Sequence, residues 1–96
     1  MEVTAYTHTG DRTASGKWPK PGMCAIDPKF FKFGTRFYVE GYGFATAEDT
    51  GRLIKGVRPG QRTAKGELLA NMDLFMESER EAEAWGRPVV KVYVYD

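Results

Sequence analysis

The chain is poor in the side chains that most often announce an enzyme mechanism. Among its 96 residues there is one cysteine, Cys24, and one histidine, His8. A lone cysteine excludes a disulfide-stapled domain. A lone histidine with no clustered thiols leaves no metal-ligand pattern. Formal net charge is only +1, and the basic residues are scattered, so nucleic acid is not an expected partner. No apolar run is long enough to span a bilayer, and membrane insertion is not expected. No secretory leader is legible at the start. The protein is therefore expected to be cytoplasmic or phage-borne, or to have a leader and other domains outside this sequence. Internal repeats and low-complexity tracts are also missing.

What remains is ordinary for one small globular domain. Hydrophobic residues make up 42% of the chain and charged residues 28%, enough for a single modest core. Aromatics are plentiful, with six Phe, five Tyr and two Trp. In a small β domain most of these belong to the core or to cross-strand pairs. A minority would line a sugar-binding groove, where ring faces stack on pyranose rings.

With so few competitors, chemistry should run through carboxylates. Three aspartates stand in recognisable settings: Asp27 in Ala25-Ile26-Asp27-Pro28, Asp49 in Ala47-Glu48-Asp49-Thr50-Gly51, and Asp73 in Asn71-Met72-Asp73-Leu74-Phe75. Carboxylates are the common acid/base and sugar-cleaving groups of enzymes. Taken alone, Asp27 before a proline has the signature of a turn residue, and Asp49-Thr50-Gly51 equally fits an Asx-type turn at a strand end. Asp73 is harder to explain structurally, because a carboxylate within an apolar strand is unfavourable without partners or a task.

Periodicity predicts strands at residues 3–8, 23–26, 36–40, 44–48, 72–75 and 89–95. Gly41-Tyr42-Gly43 predicts a tight turn, making 36–48 a hairpin. Residues 9–21 and 56–70 read as loops. Ser78-Glu79-Arg80-Glu81 is a capping-box pattern, predicting a helix from Glu79 to Trp85 that ends at Gly86. In the last strand Val90, Val92 and Val94 should share a face. Short strands with one short helix imply a small closed barrel rather than a parallel α/β sheet. Cys24 and Trp85 read as core residues, and His8 as a strand-surface or loop-packing residue.

The order of these motifs resembles the three-aspartate (3D) domain family, related to the catalytic barrel of membrane-bound lytic transglycosylase A and to small bacterial wall-remodelling proteins. The resemblance runs through Thr13-Ala14-Ser15-Gly16, Ala25-Ile26-Asp27-Pro28, Phe33-Gly34-Thr35, Val39-Glu40-Gly41-Tyr42-Gly43, Ala47-Glu48-Asp49-Thr50-Gly51, Ile54-Lys55-Gly56, Met72-Asp73-Leu74-Phe75 and Ala84-Trp85-Gly86-Arg87. It covers nearly the whole chain. It implies a mainly β fold, a six-stranded double-psi β-barrel with one short helix near the C-terminus, occupying residues 1–96 as a single domain. It also implies peptidoglycan glycan strands as partner and a location at the cell wall, extracellular or periplasmic. No metal or organic cofactor is implied. Matched in order, Asp73 is the expected catalytic acid/base, with Asp27 and Asp49 shaping and polarising the site. Thr13, Lys17, Trp18, Thr50, Gly51 and Lys55 are the expected substrate-binding residues. Two departures stand out. Residues 57–71 lengthen the segment before the third aspartate, with Asn71-Met72 where the family carries Arg-Ile. Arg52 stands where the family often has a second Gly.

The chemistry fits the residues. A glycosidic oxygen is a poor leaving group, and a carboxylic acid protonates it only if its pKa is raised toward the working pH. A lytic transglycosylase needs one such group. The acid donates its proton, then accepts one from the muramic C6 hydroxyl as that hydroxyl closes on C1 to give a 1,6-anhydro product. The expected activity is therefore non-hydrolytic cleavage between N-acetylmuramic acid and N-acetylglucosamine. Two alternatives come from other classes: a non-catalytic glycan-binding barrel, and a dimeric retropepsin-like protease built on Asp49-Thr50-Gly51. The domain is expected to be a monomer or a strand-exchanged dimer, since long loops between barrel strands permit exchange.

Overall fold

The hairpin is specified locally. In Arg36–Val39 the side chains alternate outward and inward, with Phe37 and Val39 fully buried. The chain then reverses through Gly41 and Gly43, at φ 85° and 109°, a region that side chains with a Cβ rarely enter. Tyr42 N–H donates to the Val39 carbonyl at 3.0 Å, and Gly43–Asp49 returns antiparallel.

These two strands are β3 and β4 of a six-stranded set. The computed structural model describes residues 1–51, 54–57, 60–66 and 70–95. Its elements are β1 (Glu2–Tyr6), β2 (Met23–Ala25), β3 (Arg36–Val39), β4 (Gly43–Asp49), β5 (Ala70–Phe75), α1 (Glu79–Trp85) and β6 (Val92–Tyr95). The sheet order is β1-β5-β2-β4-β3-β6. Two pairings are parallel, β1 with β5 and β2 with β4; the other three are antiparallel. Parallel partners cannot be joined by a tight turn, and here they lie far apart in sequence. The inward faces meet in one core built around Val3, Ile26, Phe37, Val39, Met72 and Leu74. Cys24 is fully buried there, and burial pushes its thiol up to about 12.

The helix starts where its cap is written. Ser78 Oγ accepts from Glu81 N–H at 3.2 Å. Glu81 reaches back one residue further than the reciprocal cap requires, accepting from Glu77 N–H at 3.2 Å. Gly86 ends the helix at φ 69°. Trp85 ties it to the sheet by donating its Nε1–H to the Val3 carbonyl at 3.0 Å.

The terminal strand is shorter than expected. Regular pairing with β3 begins at Val92, not Val89. Residues 88–90 bond to the first strand instead. Val3 N–H donates to Pro88, Val90 N–H to the Met1 carbonyl, and the Met1 amine to the Val90 carbonyl, each at 3.0 Å. The segment thus changes partner at Lys91. Val90 and Val92 pack on the core, but Val94 is 51% exposed. The expected 57–71 insertion falls partly outside the described residues. Its end forms β5, where the register slips between Glu2↔Ala70 and Val3↔Met72 and leaves Asn71 unmatched. The Asn71 amide is buried with neither atom hydrogen-bonded.

Candidate functional site

One row of residues crosses the sheet beside the loops: Thr4 on β1, Asp73 on β5, Ala25 on β2 and Asp49 on β4. Strands lie about 4.8 Å apart, so the Asp73 and Asp49 backbones stand roughly 10 Å from each other. Only the Ala25 methyl intervenes in the row. Across it the Asp49 charge acts on the Asp73 carboxyl.

Asp73 is half-buried. Thr4 Oγ1 donates to its Oδ1 at 3.0 Å. Burial raises its pKa to about 6, the Thr4 hydrogen bond opposes the rise, and the Asp49 charge adds to it. A carboxylic acid so placed keeps its proton in about half of the molecules near pH 6 and in roughly a tenth at pH 7. Asp49 is held differently. Its Oδ1 accepts from Ala14 N–H at 3.0 Å and Thr50 N–H at 2.8 Å, and its Oδ2 from the Tyr6 hydroxyl at 3.4 Å. Burial, then the Asp49 and Asp73 charges, push the Tyr6 phenol well above its ordinary range.

The loop over Asp49 is a folded unit. Thr13 N–H donates to the Lys17 carbonyl at 2.7 Å, and Ser15 N–H to the Glu48 carbonyl at 3.1 Å. Thr13 is buried, and its Oγ1 accepts from Lys17 N–H at 3.3 Å. Lys17 Nζ pairs with the buried Glu48 carboxylate at 2.6 Å. Lys17 and Glu48 also line a cleft of about 200 Å³ with Lys20, Gly22, Met23 and Thr46. Trp18 is 58% exposed, with the Arg12 guanidinium 4.7 Å above its ring. Gly51 follows Asp49 in close quarters: a Cβ there would lie 3.2 Å from Ile54 Cγ1 and 3.8 Å from the Ala25 Cβ.

Asp27 is not part of this row. Both its oxygens are taken by backbone, Oδ1 by Lys29 N–H at 2.9 Å and Oδ2 by Gly56 N–H at 2.6 Å. The Gly56 bond, then the Lys29 bond, hold its carboxyl below the ordinary range. Lys29 and Lys55 are the cations that act on it. Asp27 therefore pins the 54–57 turn that follows Gly51. Of the expected residues, Asp73, Asp49, Thr13, Thr50 and Gly51 converge. Lys17 is engaged by Glu48, Trp18 stands past the loop, and Lys55 lies with Asp27.

Sequence reasoning missed Thr4, Tyr6 and Ala14. The Thr4-Ala5-Tyr6 alternation places Thr4 and Tyr6 on one strand face, and that was the available signal. Ala14 contributes only its backbone, which leaves no mark in sequence. Among the described residues no grouping of His, Cys, Asp and Glu could hold a metal ion, and no helix is long and apolar enough to cross a membrane. A cavity of about 670 Å³ is lined by Met1, Glu40, Val90, Lys91 and Tyr93, away from the aspartates.

Residues 23–59 match the 3D domain. That stretch holds Asp27 and Asp49, while Asp73 lies C-terminal to it. The chain is 36% identical to the cell wall-binding protein YocH of Bacillus subtilis (strain 168), over 98% of its own length and 32% of that protein. It is 31% identical to YabE of the same organism, whose name marks it as a proposed cell wall shaping protein, over 98% of its own length and 22% of that protein. The chain thus spans about a third or less of these curated relatives. Ordered motifs and matched relatives agree, and the chain belongs to the 3D domain family.

Proposed function

We propose that this domain cleaves peptidoglycan glycan strands as a lytic transglycosylase, with Asp73 as the single acid/base. The observation that carries the reading is the Asp73 carboxyl, raised to about 6 by burial with the Asp49 charge beside it. In its protonated form Asp73 donates to the glycosidic oxygen. As carboxylate it then takes the proton of the muramic C6 hydroxyl while that oxygen bonds to C1, giving the 1,6-anhydro end. Asp49, fixed by Ala14, Thr50 and Tyr6, lines the site on the side of the oxocarbenium-like centre. Asp27 acts by holding the 54–57 turn, a positioning role. Thr13, Thr50 and Gly51 border the substrate, with Lys17, Trp18 and Lys55 at its edges. No cofactor enters this chemistry.

The reading includes a double-psi barrel in which the six strands close. The bonds from Met1 and Val3 to residues 88–90, and the β3–β6 pairing, support closure. It also places the protein at the cell wall, as a monomer or strand-exchanged dimer, in keeping with the names of its relatives.

A second reading, a glycan-binding barrel without catalysis, is favoured by one observation: YocH is named for binding the cell wall. Clearing of a suspension of purified sacculi separates the two. The wild type lowers turbidity and Asp73→Asn does not, while both sediment with the sacculi. A wild type that sediments without clearing supports the binding module.

A further inference from the structure

The exposed face of β3, β4 and β6 carries aromatic side chains where solvent-facing residues are normally polar. Tyr38 pairs in register with Phe44 on one side and Tyr93 on the other, and Arg36 pairs with Thr46 and Tyr95. Phe44 is 66% exposed, Tyr93 52% and Tyr95 46%. The rings touch one another: Tyr38–Phe44 at 5.1 Å, Phe44–Tyr95 at 5.9 Å and Tyr38–Tyr93 at 6.4 Å between centroids. None of them contacts the Asp73 row.

We infer that this face is a second glycan-binding surface, which grips a β-1,4-linked strand bearing carboxylates while the aspartate row acts on another part of it. The inference rests on the proposed wall-glycan function and extends it. Three features select this occupant. Ring faces offer stacking surfaces to pyranoses, and the Tyr38, Tyr93 and Tyr95 hydroxyls, which make no hydrogen bond within the described residues, are left to meet sugar hydroxyls. The cations are unspent: Arg36 within the face, Lys20 beyond Thr46 and Lys91 beside Tyr93 have no carboxylate partner among the described residues. Among the described residues, Glu40 is the one unpaired carboxylate at this rim, because Lys17 neutralises Glu48. That balance complements the lactyl and stem carboxylates of wall glycan.

Area argues against a second protein copy. Four half-exposed rings offer roughly 400 Å², about half of the ~800 Å² that each partner of a standard interface buries. A glycan strand is narrower and needs no more. The face is also continuous with concave surface at both ends. Tyr93 lines the 670 Å³ groove with Lys91. Thr46 lines the 200 Å³ cleft, where Lys17 and Glu48 lead to Asp49.

Calorimetry with uncross-linked glycan strands tests this, in an Asp73→Asn background so that no strand is cut. A Phe44→Ala/Tyr93→Ala variant should bind at least tenfold more weakly, and on the wild-type background should still cleave short soluble fragments at the wild-type rate. Arg36→Gln, a milder change, should weaken binding of glycan strands but not of neutral chitin hexasaccharide. Equal affinity in all variants overturns the surface and leaves the proposed function standing. A parent that neither binds strands nor, as wild type, cuts them overturns the function and this inference together. A dimer that dissociates in the double variant assigns the face to a second copy and overturns it.

Discussion

Asp49 and Asp73 are register partners of the same residue, Ala25, from opposite sides. One is fixed by two backbone donors and a phenol; the other has one hydroxyl donor. Two like groups thereby stand in different hydrogen-bonding settings, and burial first, then the Asp49 charge, raise the Asp73 carboxyl to about 6.

Asp73→Asn should abolish cleavage and stabilise the fold at pH 7. The Asp73 pKa rises from 3.8 to about 6 on folding, so the folded state holds the proton more tightly. Stability from this group is complete below pH 3.8 and is lost as pH rises through about 6. Discounted for partial exposure, the penalty near neutrality is about 1–2 kcal/mol, or on the order of 5 °C for a domain of this size. Thermal scans should show the variant melting higher at pH 7 and level with the wild type near pH 3.

Thr4→Val removes the hydroxyl that favours the Asp73 carboxylate. The Asp73 pKa should rise by roughly half to one unit, the equivalent of one hydrogen bond. Because the acid must be protonated, activity falls as pH rises past its pKa. The descending limb of the pH–rate profile should move upward by that amount.

Asp27→Asn puts an amide where two backbone N–H groups need acceptors. The lowered pKa of Asp27 contributes stability that is present above the ordinary value of 3.8 and is lost below it. The variant should melt lower than wild type at pH 7, with the gap narrowing at pH 3. Cleavage should fall without moving the pH–rate profile.

How far these features were legible follows their range along the chain. The β3–β4 hairpin and the Ser78 cap are written within a few residues, and both form as read. Asp73 was marked by its apolar neighbours, and its raised pKa has burial as the first cause. The parallel β1–β5 and β2–β4 pairings join distant strands and leave no local trace. The change of partner at Lys91 is equally silent, since Val89–Tyr95 alternates as one strand would. Tyr38, Phe44, Tyr93 and Tyr95 do form the cross-strand pairs that aromatic content foretold, but on the solvent face. Glu48 was read as a strand residue only. Its burial and its pairing with Lys17 depend on the 13–17 loop folding over it.

Lys17→Met leaves the Glu48 carboxylate buried with only the distant Ser15 hydroxyl, at 3.4 Å. Since Lys17 itself is well exposed, the loss should be about 1–2 kcal/mol rather than the full value of a buried pair. Chemical denaturation checks it, and adding Glu48→Gln should recover most of the loss.

Gly51→Ala introduces a methyl 3.2 Å from Ile54 Cγ1 and 3.3 Å from Cδ1. The Ile54 side chain must shift, at about 1 kcal/mol. Ala25, 3.8 Å away, sits between the two aspartates, so cleavage should drop more steeply than stability. Parallel melting and turbidity assays on the purified variant check this.

The most direct test is mass spectrometry of the soluble products released from purified sacculi. The wild type should release 1,6-anhydromuropeptides and Asp73→Asn none. Muropeptides with free reducing ends would contradict it, since they require water as the attacking group and a second essential carboxylate. Sacculi that hold the protein yet release nothing would contradict catalysis altogether and leave a binding domain.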